Sequence, residues 1–597
     1  MIGARPVLPF DGAIQIIDQP RFRVWTGLPA LMWNVECTPS RWSIRKQTRD
    51  ARLGLTDLVF EVQHQGHDCV QVFQYHTAHA DPGILEAYCY TNRISYAPGE
   101  TVVIHASATE PLVQLTITRD GAVPRVAADF SAVAVPSVPT PPEFYSRGCD
   151  WPVVLRWKVP DDLPSGFYVL RIVARRNDRV VEHEHGFCVR RLKSAAPAPI
   201  LFILSTCTWT AYNDWGGINN YVGRNPPPGF SFAPRLSLHR PYARGLIWKP
   251  QGAPRIADDS TPALGDTPRY QSFEWAYAKG FSKWCAGAGW AAYERNYAVW
   301  SEREGLPLDY ITQHDLEADP TLLEGHGVVV MVGHCEYWSA RMRDAIDAWV
   351  ERGGNVARFA GNFGWQIRLE DNGNTQVCYK EAARDADPYM QGSEKHLTTT
   401  LWEDPITCRP GSLTFGLQAI HGIYARVGAA APRGSGGFTV YRPEHWAFAD
   451  ADLYYGDTFG SAARIFAFEC DGLEYEFRDG LPHPKSSSSI PPGLEILAMN
   501  PVSPIETDHL LPATRLLLGD LPLRGIAQVR YGDDSPEHVD AARRGSGMIV
   551  SFRKGAGEVF HAGSSEWVNG LRLKEPFTEA ITRTVVRRLA GIGERMQ

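Results

Sequence analysis

Three short stretches concentrate the side chains best able to do chemistry. Ser205-Thr-Cys-Thr-Trp-Thr-Ala-Tyr-Asn-Asp-Trp-Gly-Gly is dense in hydroxyl, amide and aromatic groups for a simple connector. Gly333-His-Cys-Glu-Tyr-Trp-Ser sets two titratable groups, His334 and Glu336, two positions apart. Phe466-Ala-Phe-Glu-Cys-Asp-Gly repeats that spacing with Glu469 and Asp471. Titratable side chains that face one pocket are what acid–base chemistry requires. Each stretch also has an ordinary reading: a hydrogen-bonded turn under aromatics, a solvated Glu at a helix start with His334 satisfied by a carbonyl, and an acidic turn. Side chains alternate in facing, so one of Glu469 and Asp471 is expected to point into a shared crevice.

For the first stretch taken alone the ordinary turn is favoured, whereas position lifts the second, Gly333-His-Cys-Glu-Tyr-Trp-Ser, above its ordinary reading. The runs Ile200-Leu-Phe-Ile-Leu, Leu308-Asp-Tyr-Ile-Thr, Val328-Val-Val-Met-Val-Gly and Asn355-Val-Ala-Arg-Phe-Ala read as buried strands, and Ala340 to Arg352 as a helix capped near Ser339. Arg464-Ile-Phe-Ala-Phe-Glu, Glu495-Ile-Leu-Ala-Met, Met548-Ile-Val-Ser-Phe and Glu558-Val-Phe-His-Ala-Gly add expected strands, and Pro576 to Leu589 a closing helix. Strands alternating with helices imply a three-layer α/β domain with a mainly parallel sheet, assigned to residues 195–597. Ligands of such sheets bind where strands end, which is where all three stretches fall.

The preceding chain reads as β-rich. Residues 1–84 include Asp57-Leu-Val-Phe-Glu-Val-Gln and Cys69-Val-Gln-Val-Phe-Gln-Tyr around a polar turn, the pattern of a hairpin. Period-two patterning and Pro-Gly turns over 85–194 predict an immunoglobulin-like sandwich. Ala195-Ala-Pro-Ala-Pro then reads as a linker.

Bulk properties exclude several classes. A chain of 597 residues, 44% apolar and 21% charged, exceeds one usual core and predicts a multidomain globular protein. A net charge of −7, with basic residues single or in pairs such as Arg175-Arg176, argues against nucleic acid. No stretch approaches the ~18 apolar residues of a membrane span. The 11 cysteines include no C-x-x-C pair, which fits a soluble, cytoplasmic protein without a disulfide framework. Gly-x-Cys at a strand-to-helix turn makes Cys335 a candidate nucleophile, but Glu336, Tyr337 and Trp338 crowd it and no base is evident.

Taken together, Trp209-Thr-Ala-Tyr-Asn-Asp-Trp-Gly-Gly, Gly333-His-Cys-Glu-Tyr-Trp-Ser, Gly353-Gly-Asn-Val-Ala-Arg-Phe-Ala-Gly-Asn and Phe468-Glu-Cys-Asp-Gly resemble the large (β) subunit of N,N-dimethylformamidase and its relatives, over roughly residues 85–590. The resemblance implies a C-terminal domain of the class I glutamine-amidotransferase-like fold and one mononuclear iron per chain, held by two tyrosines and a glutamate. On matching positions Tyr212 is the first ligand tyrosine, Glu336 the ligand glutamate, His334 its supporting histidine and Glu469 the additional catalytic glutamate, with Asp471 as the other candidate. The second tyrosine is Tyr221 or Tyr242, Tyr221 being preferred. Cys335 stands where relatives commonly carry Asp, which weakens the nucleophile reading. Two phenolates and a carboxylate form a hard oxygen set that favours ferric iron. The implied activity is hydrolysis of the C–N bond of a small, N-substituted formamide-like amide, with Glu469 moving the proton and His334 orienting the reacting group. The implied assembly is a homo-oligomer, with or without a small accessory subunit. A noncatalytic binding or scaffold role and a Cys335-dependent hydrolase are the two alternatives.

Overall fold

Nine segments between Ile200 and Ala562, mostly of β-branched and apolar residues, pair into one sheet in the computed structural model. In chain order they are β1 (Ile200–Leu204), β2 (Leu308–Thr312), β3 (Val328–His334), β4 (Asn355–Gly361), β5 (Phe438–Val440), β6 (Thr458–Phe459), β7 (Glu495–Val502), β8 (Gly545–Lys554) and β9 (Gly557–Ala562). The structure describes residues 76–223, 226–258, 271–422, 436–502 and 521–593, and before them only the strands Ile14–Asp18, Arg21–Val24, Glu36–Thr38, Arg41–Lys46, Asp57–His64 and Asp68–Tyr75. The last two pair antiparallel, as the hairpin pattern predicts, while their expected turn at 65–67 lies outside the described residues.

Across the sheet the order is β2-β1-β3-β4-β9-β8-β7-β5-β6. The pairings from β2 to β9 are parallel, and every residue of β1 and β3 is buried, as expected where helices cover a parallel sheet. From β9 to β6 the pairings are antiparallel. The sheet is therefore mixed rather than mainly parallel. The two residues Gly555 and Ala556 between β8 and β9 are too few for a crossover and admit only a hairpin, which reverses the direction. The strand expected at 464–469 does not form. Arg464 and Phe468 adopt left-handed φ of 49° and 61°, so the segment turns and touches the sheet through an isolated bridge from Cys470 to Ser564.

Two groups of helices pack with the sheet. Glu294–Arg303 contacts Trp567–Leu573, which contacts Pro576–Leu589. Thr206–Tyr212 contacts Gln313–Ala318, which contacts Ala340–Glu351. Ser339 caps Ala340–Glu351 by accepting from Met342 N, but the sequence after β3 does not run straight into that helix. Tyr337–Ser339 first forms a short strand, parallel to Trp365–Glu370.

Upstream, the strands Arg125–Ala134, Leu112–Asp120, Gly166–Arg176, Arg179–Val189 and Ser95–Tyr96 form one sheet, and Val153–Lys158, Thr101–Ala108 and Ala87–Thr91 another. Both contribute to one apolar cluster. The first sheet also joins the α/β core: Phe167 stacks on Trp290 at 4.3 Å, and Asp120 accepts from Arg295 Nε at 2.8 Å.

A buried ion network sits beneath the strand ends. Arg358 of β4 and His561 of β9 are register partners, both fully buried, with Arg358 Nε 3.2 Å from His561 Nε2. Asp471 supplies the negative charge, 4.0 Å from Arg358 and 3.6 Å from His561. Its Oδ1 also accepts from the amides of Asn362 (2.7 Å) and Phe363 (3.3 Å), which fixes the turn leaving β4. Removing this carboxylate strands a buried guanidinium, which costs about 3–5 kcal/mol. Asp471→Ala is accordingly expected to lower the denaturant unfolding midpoint sharply, and unchanged stability would count against this structural role.

Burial also sets a pH dependence. His183, His185 and His561 are buried, and burial depresses their pKa values to about 4, 3 and 3. The unfolded chain takes up these protons near pH 6.5 while the folded chain does not, so the stability is fully present above about 6.5 and is lost as pH falls towards 4. Each histidine contributes a slope of up to about 1.4 kcal/mol per pH unit. Melting temperature should fall steeply over this interval, and a flat profile would refute the assignment.

Candidate functional site

Strands β1, β3 and β4 end side by side, and the chain leaving each contributes to one buried cluster. After β1, the helix Thr206–Tyr212 is wholly buried. Its Thr208 Oγ1 accepts the Glu336 amide at 2.9 Å, tying the chain after β3 to the helix after β1. Asn219 then shapes the next turn: its Oδ1 accepts from the amides of Tyr221 (2.8 Å) and Val222 (3.0 Å), and its Nδ2 donates to the Tyr212 carbonyl at 3.2 Å. This side-chain turn brings Tyr221 back over Tyr212.

Gly333 permits the approach from β3. Its φ is 74°, and a Cβ there would lie 2.3 Å from Tyr293 Cβ. Only glycine lets the strand bend this close before His334 and Glu336.

The oxygens converge tightly. Tyr221 Oη lies 2.9 and 2.8 Å from the two carboxylate oxygens of Glu336 and 2.9 Å from Tyr212 Oη. Tyr337 donates its hydroxyl to Tyr221 at 2.7 Å. The Tyr212 hydroxyl also hydrogen-bonds the Glu336 carboxylate. Glu336 is 3% exposed and His334 1%.

His334 is held as a particular tautomer. Its Nδ1 faces the Gly287 carbonyl at 2.7 Å, which only accepts, so Nδ1 carries the hydrogen. Nε2 then keeps a lone pair, which accepts from Asn362 Nδ2 at 3.2 Å and lies 3.3 Å from Glu336 Oε2. Burial pushes the His334 pKa down to about 4, so its neutral form prevails. Burial also raises the pKa of Glu336, opposed by Lys380 and by hydrogen bonds from Tyr221 and Tyr212. Burial and the Glu336 charge push the Tyr221 hydroxyl well upward.

This donor set suits a hard cation. Lone pairs outnumber protons around Tyr221 and Glu336, and His334 Nε2, which carries no hydrogen, lies 3.3 Å from a carboxylate oxygen. Oxygen-rich clusters of this kind favour hard metals over soft ones. Histidine, cysteine and acidic side chains alone form no metal-holding group of three among the described residues, and at this cluster the phenol oxygens stand beside His334 and Glu336 as further donors.

The structure sorts the sequence-derived candidates. Tyr212, Tyr221, His334 and Glu336 come together. Tyr242 does not join them; it stacks on His185 at 4.9 Å, and its carbonyl accepts from His183 Nε2 at 2.8 Å. Cys335 is buried, its Sγ taken up by Trp338 Nε1 at 3.3 Å and its carbonyl by Arg358 at 3.1 Å. Glu469 and Asp471 are both buried, and it is Asp471 that the backbone amides of the β4 turn engage. Glu469 is pinned to Ser565 in both directions, its carbonyl accepting from Ser565 N at 2.9 Å and its amide donating to Ser565 Oγ at 3.3 Å. Its neighbour Phe468 lies edge-on to the His334 ring at 5.5 Å.

Four neighbours escape sequence reasoning. Lys380 is 4% exposed, with Nζ 3.4 Å from the Tyr221 ring centroid and 3.4 Å from Tyr337 Oη. Trp284 packs on both phenol rings, at 5.4 Å from Tyr212 and 5.3 Å from Tyr221. Asn362 and Thr208 supply the hydrogen bonds already described. Nothing in Cys378-Tyr-Lys-Glu marks Lys380, whereas Asn362 ends the quoted Gly353 stretch and Thr208 lies within the first motif.

The chain gives no match among curated proteins. Residues 118–580, more than three quarters of the chain, match the family described as N,N-dimethylformamidase beta subunit-like, C-terminal. The match begins within the strand Leu112–Asp120, inside the β-rich region, and spans every residue of the oxygen cluster. The chain therefore belongs to the N,N-dimethylformamidase beta subunit-like family.

Proposed function

We propose that this protein is a hydrolase that cleaves the C–N bond of a small, linear, N-substituted formamide-like amide, with a mononuclear ferric ion held by Tyr212, Tyr221 and Glu336. The observation that carries the reading is the approach of the Tyr221 hydroxyl to within 2.9 Å of Tyr212 Oη and of both Glu336 oxygens. When bound, such an ion supplies Lewis acidity for an amide carbonyl or a water.

The chain's own residues do the rest. Glu469 accepts a proton from the attacking water and returns it to the departing amine. His334, fixed through Gly287 and Asn362, sets its ring beside Glu336 and orients the reacting group there. Trp284 and Phe468 give the site apolar walls suited to small alkyl substituents. Lys380, seated on the Tyr221 ring, offsets the negative charge that the oxygen cluster concentrates.

The reading extends to organisation. Residues 1–84 form a β-rich segment, 85–194 an immunoglobulin-like sandwich and 195–597 a class I glutamine-amidotransferase-like domain. The two-sheet apolar cluster and the parallel half of the large sheet support this division. The family description, beta subunit-like, supports an assembly of more than one subunit, which the reading takes as a homo-oligomer with or without a small accessory chain. The absence of C-x-x-C pairs fits a cytoplasmic location, and no helix among the described residues is long and apolar enough to cross a membrane.

Elemental analysis of freshly purified protein should find close to one iron per chain. Tyr221→Phe and Glu336→Gln should each lower iron content and depress hydrolysis of N,N-dimethylformamide by about 100-fold or more. Cys335→Ala should keep both. Full amidase activity in iron-free protein, or its loss in Cys335→Ala alone, would defeat the proposal.

A further inference from the structure

Glu469 lies on the irregular segment 463–471, which replaces an expected strand and has no ladder to hold it. Its backbone is anchored on one side by the chain after β9. Ser564 Oγ donates to the Ile465 carbonyl at 2.7 Å, Asn569 Nδ2 donates to the Ala463 carbonyl at 2.6 Å, and Ser565 pairs with Glu469 itself.

The other side is closed by three consecutive residues far away in sequence. Arg255 donates from Nε (3.0 Å) and Nη2 (2.8 Å) to Glu566 Oε2, and from Nη1 to the Ala292 carbonyl. Ile256 packs in one apolar cluster with Phe468, the residue before Glu469. Arg464 Nη1 donates to the Ala257 carbonyl at 2.6 Å. The Arg255–Glu566 pair is nearly solvent-free, with side chains 5% and 0% exposed. The connections form a closed circuit: Arg255 to Glu566, Glu566 through Ser565 to Glu469, Phe468 to Ile256, and Ile256 back to Arg255.

We infer that the segment Arg255–Ala257, locked by the Arg255–Glu566 ion pair, is a positioning clamp for Glu469. This rests on the reading above that Glu469 transfers the proton. The pair acts on Glu469 through the backbone of Ser565, next to Glu566 in the chain, and Glu566 also acts electrostatically on His334, so iron content and KM are read beside kcat to separate placement of the carboxylate from an effect on the cation. A buried pair in which Nε and Nη2 of one guanidinium converge on a single carboxylate oxygen suits this task, because the planar fork fixes the geometry and lysine cannot reproduce it. Arg255 and Glu566 are positioning residues and take no part in bond making.

The test compares wild-type protein with Arg255→Ala, Arg255→Lys and Glu566→Gln, all loaded with iron. The clamp predicts that Arg255→Ala lowers kcat for N,N-dimethylformamide by roughly 100-fold, the scale expected of a misplaced catalytic group, while KM and iron content stay within about twofold. Added guanidinium should restore part of kcat in Arg255→Ala but not in Glu566→Gln, a response that general destabilisation would not give. Amide hydrogen exchange of peptides covering 463–471 should rise in Arg255→Ala and less in Arg255→Lys. Unchanged exchange overturns the clamp, whether or not the wild type hydrolyses amides. Raised exchange with unchanged kcat in an active enzyme overturns the link to Glu469. A wild type inactive on amides removes the hydrolase reading while the exchange result still decides the clamp.

Discussion

The buried carboxylate of Glu336 is the constraint around which the rest is arranged. A carboxylate removed from water must recover its solvation from the protein or accept a proton. Here the recovery comes from the phenols of Tyr221 and Tyr212, with Lys380 behind the Tyr221 ring. Hydrogen supply falls short of lone-pair demand: Tyr221 has one proton to offer, yet three acceptor oxygens lie within 2.9 Å of it. An arrangement of this kind is stable as a proton-sharing cluster or as the cradle of a cation.

The scaffold serves that cluster by dividing its labour. The parallel half of the sheet brings strand ends to one rim, as open α/β sheets do at their binding crevices. The antiparallel half delivers the segment carrying Glu469 and Asp471 from another direction. Asp471 joins the halves, since its carboxylate meets Arg358 of β4, His561 of β9 and the amides of the β4 turn together. The two acidic residues two positions apart thus divide: the Asp471 carboxylate is taken up by the frame, while the Glu469 backbone is tied to Ser565.

Local pattern carried much of this and long-range pairing carried the rest. The runs at 200–204, 308–312, 328–334 and 355–361 are apolar and β-branched, and each forms a buried strand at or near the expected boundaries. The aromatic run at 464–469 has the same composition, yet two left-handed residues bend it; its burial against the helix Trp567–Leu573 and the segment 255–257 is tertiary information. The sheet's change of direction turned on a two-residue connection at Gly555, a cue easily lost beside longer apolar signals. In the site, His334 and Glu336 declared themselves by spacing and Tyr212 by its motif. Tyr221 and Tyr242 were indistinguishable in sequence because the choice is made by the Asn219 turn. Lys380 had no local signature, since what marks it is the tyrosine ring it rests on.

The strand order has a consequence for how the molecule is made. β9, the last strand of the sheet in sequence, occupies its centre, with four strands on either side. As the polypeptide leaves the ribosome, β4 must wait with one row of amides and carbonyls unsatisfied until roughly two hundred further residues have been translated. An exposed strand edge of this kind is a template for pairing with neighbouring chains, and the strand order closes it only when β9 has been made.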